Sequence, residues 1–235
     1  MSTNKKIGHL KDLLNGLHAN SENSLRRLID GKSQIQHGEM TFKVLRSADL
    51  QLDGEQRSYL DNFTFQRTIF DCEHISLRNS SKVTLIDCLV LGTLSIGDKP
   101  DEHTEVYLDT VAVTKKLRIT GRGEHLTSVS LVSVQARELS LYNFTTAEIS
   151  VMSGRFASTV MSCLTADSLQ ITDSELGALS VAECDFKKVL FPAGQVRLGD
   201  LNASRPVAWL RRWRFKPLNF LIGPKATYQA FGNAP

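Results

Sequence analysis

The sequence predicts a mainly β fold, a right-handed parallel β-helix of about twenty residues per coil, on three observations. From Val129 onward an apolar-x-apolar triplet recurs every ten residues. It runs Val129/Leu131, Leu139/Leu141, Ile149/Val151, Thr159/Met161, Leu169/Ile171, Leu179/Val181 and Val189/Phe191. A weaker copy lies five residues further on in each unit, at Ala136, Thr146, Phe156, Ala166, Leu176, Phe186 and Val196, so the true step is five. Residues twenty apart also fall into chemically sensible columns.

Each five-residue step reads as one short side of a coil. Strand alternation turns two residues inward with one outward residue between them, and a corner then redirects the chain. Four sides close a coil, and coils stack at the strand spacing of ~4.8 Å. The predicted columns are Leu131, Val151, Ile171 and Phe191; Val129, Ile149, Leu169 and Val189; and Leu141, Met161 and Val181. A narrow column of Val134, Gly154, Ser174 and Gly194 stands beside a wider one of Ala136, Phe156, Leu176 and Val196. Wide beside narrow is how a slim interior fills at native density.

Upstream, the triplets Phe63/Phe65, Ile75/Leu77, Val83/Leu85, Leu94/Ile96, Val106/Leu108 and Leu117/Ile119 are spaced by 12, 8, 11, 12 and 11 residues. Their corners must carry extra residues, and 97–103 and 121–124 read as loops. Both three-sided and four-sided coils stay open for residues 60–125.

The five-residue unit resembles that of the pentapeptide-repeat proteins, in which a small residue precedes Asp or Asn and a central Leu or Phe. Cys184-Asp185-Phe186-Lys187-Lys188 carries the pattern, and Ser174-Glu175-Leu176-Gly177-Ala178 and Thr68-Ile69-Phe70-Asp71-Cys72 carry part of it. Elsewhere Val, Leu, Ile or Phe fills the small position, which marks a divergent member over about 140 of the 235 residues. The resemblance implies a four-sided coil. For some members it also implies mimicry of duplex DNA and modulation of a DNA-binding enzyme such as a type II topoisomerase.

Three segments follow: a helical N-terminal capping segment (1–45), the β-helix (46–200) and a basic aromatic C-terminal cap or arm (201–235). Ile7, Leu10, Leu13, Leu14 and Leu17 fall on one helical face, and Leu25, Leu28 and Ile29 form a second short helix stopped by Gly31. The first segment holds seven basic and four acidic residues; the last holds six basic residues and no acid. The middle holds 15 basic and 21 acidic residues, an acidic body between basic ends. The composition, 41% hydrophobic and 23% charged, is that of a globular domain. No apolar run is long enough for a membrane helix, and no signal-peptide core follows Met1–Lys6, so a cytoplasmic protein is expected.

Trp209, Arg211, Arg212, Trp213 and Arg214 form the strongest binding signal, with both tryptophans of the chain interleaved among cations. Such a segment suits a protein partner, an anionic membrane surface or nucleic acid, or it caps the last coil. Cys72, Cys88, Cys163 and Cys184 make no C-x-x-C pair and read as reduced, small apolar residues, so neither metal nor cofactor is expected. No nucleotide-binding, hydrolase or metalloprotease motif is present, and the six histidines are scattered. Paired acids such as Asp71 and Asp87, or Glu138 and Glu148, would serve a carbohydrate-active β-helix only if they shared an outer wall. The expected function is therefore non-enzymatic: a scaffold that binds another protein through a wall or an end of the solenoid. A second copy docking at one end is a further partner of this kind.

Overall fold

A computed structural model describes residues 22–37, 40–46, 62–77, 81–97, 104–121, 125–190 and 196–203. The fold is a β-solenoid of about six turns with ~20-residue spacing and almost no helix. Burial shows the five-residue step directly. From Val129 to Val189 the inward pairs 129/131, 134/136, 139/141 and 144/146, then their equivalents coil by coil, are all buried. These four pairs define walls one to four.

The register follows the predicted columns. Strand β10 (Gln135–Met152) pairs in parallel with β11 (Arg155–Thr172), each residue opposite the one twenty further on. The same step places β11 on β12 (Ser174–Ala182) and on β13 (Asp185–Leu190). A straight 18-residue strand would span about 60 Å. Strand β10 instead bends around the coil, so that Leu139 lies on Leu117 of wall three and Ile149 on Val129 of wall one.

Two corners per coil need a left-handed residue. Ser133, Asn143, Ser153, Cys163, Asp173 and Glu183 have φ between 47° and 56° and occur every ten residues. Each follows wall one or wall three. The other two corners do without one, which is why the ten-residue period is stronger in the sequence than the five-residue one.

After wall one, the carbonyl before the left-handed corner often accepts a hydrogen bond from the first inward side chain of wall two, and Ile86 and Thr172 C=O also accept a backbone N–H from the preceding coil. Thr68 Oγ1 donates to Gln66 C=O at 3.1 Å, Cys88 Sγ to Ile86 C=O at 3.3 Å and Ser174 Oγ to Thr172 C=O at 2.7 Å. Cys184 repeats the contact on wall four, to Ala182 C=O at 3.2 Å. A short side chain suits this position, with a donor at Thr68, Cys88, Ser174 and Cys184 and without one at Val134 and Gly154. The same position controls interior volume. A Cβ on Gly154 would lie 2.7 Å from the Phe156 ring, so the missing side chain is the space that Phe156 fills.

Upstream, the coils keep the walls but not the count. The step between stacked residues is 20 from Phe63 to Val83, 19 from Ile75 to Leu94 and 23 from Val83 to Val106. Walls one, two and three continue through 62–121, and Thr104, fully buried, lies under Leu126 and then Thr146 on wall four. Two columns depart from expectation, those predicted to end at Gly194 and at Val196. Strand β14 (Val196–Ala203) pairs with β12 at a step of 22, so Val196 lies opposite Ser174 instead of Leu176, which is opposite Leu198. Two extra residues within 190–196 shift the register. Phe191 and Gly194 lie outside the described residues.

The described part of the N-terminal region extends the sheet and covers the outside of wall two. Helix α1 (Glu22–Ile29) ends as predicted at Gly31, whose φ of 67° is the left-handed cap, and Lys32 N–H returns to Ile29 C=O at 3.0 Å. Strand β1 (Gln34–His37) turns antiparallel onto β2 (Met40–Arg46), and β2 pairs in parallel with β4 (Thr68–Asp71). Sheet pairing therefore reaches back to Gln34. The outward column of wall two is apolar at this end: Val44, Ile69, Leu89 and Ala112. Ile29, Met40 and Phe42 cover it, forming a second core separate from the coil interior. Arg26 locks the cover by pairing with Asp71 and donating to Leu91 C=O at 2.6 Å. Arg46 donates to the carbonyls of Ile29 and Lys32, each at 3.0 Å. On this helix Ile29 takes the buried face and Leu28 is 54% exposed. The face predicted from Ile7 to Leu17 lies outside the described residues.

Two substitutions test the interior. Ser174→Ala leaves both the Gly154 N–H and the Thr172 C=O without the hydroxyl, and stability should fall by about 1–3 kcal/mol in urea denaturation. Ser174→Cys should recover part of the loss. Thr159 lies between Leu139 and Leu179 with its buried hydroxyl unpartnered, so Thr159→Val should raise stability by about 1 kcal/mol, read as a higher urea midpoint.

Candidate interaction surface

The solenoid interior is filled by side chains, so chemistry has to be sought on the outer walls. Outward charges are arranged by coil stacking. Lys82 meets Glu105 at 3.2 Å, Lys116 meets Glu138 at 2.5 Å, Arg155 meets Glu175 at 3.9 Å and Asp167 meets Lys187 at 2.6 Å. Each pair joins residues stacked in successive coils, and each is well exposed, so it fixes register more than it adds stability. One pair skips a coil. Glu73 and Lys115 meet at 3.1 Å across Gly92, which has no side chain to separate them. The Lys115 ammonium holds the Glu73 carboxyl below its usual range through that hydrogen bond and its charge. Gly92 has φ 157°, and a Cβ there would lie 2.3 Å from the Glu73 carbonyl oxygen.

The acid pairs that would have suggested glycoside chemistry do not share a wall. Glu138 lies between Lys116 and Ser158, and Glu148 between Ser128 and Ser168, half a coil away. Asp71 faces Arg26 and Arg46, while Asp87 occupies a left-handed corner. His74 is exposed. Among the described residues no three His, Cys, Asp or Glu side chains come together as a metal site, and no helix is long and apolar enough to cross a membrane.

The cysteines divide by position. Cys72, Cys88 and Cys184 are buried, and Cys163 is half-buried at a corner, with Sγ 3.5 Å from Glu183 Oε2. Burial pushes both the Cys88 and the Cys184 thiols up to about 11. Backbone hydrogen bonds oppose the shift without cancelling it.

One outer face stands apart. On wall three, Ser158, Val160 and Ser162 stack against Ala178, Ser180 and Ala182, small side chains without charge. Wall two over the same coils carries Arg155 and Glu175, and wall four carries Asp167, Asp185 and Lys187. One coil back, the buried Ser140 and the 43% exposed Tyr142 continue two of its columns, while the third passes to Glu138, paired with Lys116, and the exposed Arg118 lies beyond Ser140. Strand alternation already turns these positions outward in the sequence. What escaped notice there was that they lie side by side on one wall. Trp209, Arg211, Arg212, Trp213 and Arg214 lie outside the described residues. Comparison with protein-family models, curated proteins and solved structures found no match to the chain.

The thiols provide a test. In the folded protein maleimide should label Cys163 first and leave Cys72, Cys88 and Cys184 protected until denaturant is added. The raised thiols also give stability a sign at high pH. Between the ordinary thiol value of 9.0 and about 11, the unfolded chain loses protons that the native state keeps, so stability should fall as pH rises through that window. Urea midpoints measured across it should drop, and Cys88→Ser with Cys184→Ser should flatten the drop.

Proposed function

We propose that this chain is a non-enzymatic scaffold, a divergent pentapeptide-repeat solenoid that works in the cytoplasm by binding another protein. The observation that supports this reading is the uncharged face of wall three, where stacked small residues meet an exposed tyrosine. Interface cores are depleted in charge and enriched in Tyr. A flat ladder of short side chains also loses little conformational entropy when covered. The basic aromatic segment at Trp209–Arg214 is the second contact in this reading, orienting the partner by charge. Mimicry of duplex DNA would require an unbroken acidic stripe. The stacked acids Glu105, Glu138, Glu175 and Asp167 each face a cation, so a protein-binding scaffold is the reading carried forward.

The test is co-purification with quantitative mass spectrometry from the native host, using three variants with matched melting temperatures. Val160→Arg places a charge at the centre of wall three and should remove the partner at least tenfold. Gln170→Arg makes the same change on wall one and should leave the partner bound. Retention by Val160→Arg, with loss only on deletion of 207–235, would assign binding to the C-terminal segment and overturn the wall-three reading.

A further inference from the structure

We draw no further inference here: the strongest candidate outside the wall already described, the half-buried Cys163 thiol at a left-handed corner beside Glu183, is a lone cysteine with no second observation that points to a ligand.

Discussion

Backbone hydrogen bonds in this fold run from coil to coil, and everything else depends on that pairing. Each residue must find its partner one strand spacing away, so each coil must have the perimeter of the one before it. Where the chain spends twenty residues per coil, as from 125 to 190, the pairing continues through the corners themselves. Ser133 N–H reaches Met152 C=O at 2.8 Å, and Ser153 N–H reaches Thr172 C=O at 3.0 Å. Where stacked residues lie 22 or 23 apart, the inward pairs still stack. Burial of apolar side chains drives folding, but perimeter matching decides which residues can be buried together.

The same constraint explains the interior chemistry. The carbonyl before a left-handed corner can accept a second hydrogen bond, and a short next inward residue that can donate supplies it. Ser174, Cys88 and Cys184 do this, and the residue two further on takes the remaining volume: Leu176, Val90 and Phe186. Two of the four cysteines are therefore hydrogen-bonded core residues whose thiols burial disfavours as thiolates. Such thiols are poor nucleophiles at neutral pH.

On the outside, a solenoid has no single face that must be polar, so the distribution of side chains is informative. The N-terminal end of wall two is apolar and is covered by α1 and the β1–β2 hairpin. The same wall becomes charged at Arg155 and Glu175, where no such cover exists among the described residues. Wall three over 158–162 and 178–182 is different, with short uncharged side chains and no cover among the described residues. That contrast, between an apolar face covered by its own chain and an uncharged face without cover among the described residues, supports the proposal that wall three binds a partner.

The sequence by itself determined the repeat. Strand alternation leaves its mark in apolar-x-apolar triplets, and the columns from Val129 to Val189 follow from counting by twenty, because here the chain adds nothing to its perimeter. The stop of α1 at Gly31 was legible for the same local reason. Other features depended on long-range partners. Outward Ile69 and Leu89 interrupt the alternation, but only folding brings Phe42 and Ile29 over them. The corner residues Cys163 and Glu183 are not typical left-handed residues, so tertiary pairing imposes their φ. The shift that puts Val196 opposite Ser174 comes from a step of six residues between Leu190 and Val196 against four between Gln170 and Ser174, which the even period of the sequence does not reveal. The wall-three face was hidden because its members are twenty residues apart and individually ordinary. Coil stacking makes them neighbours.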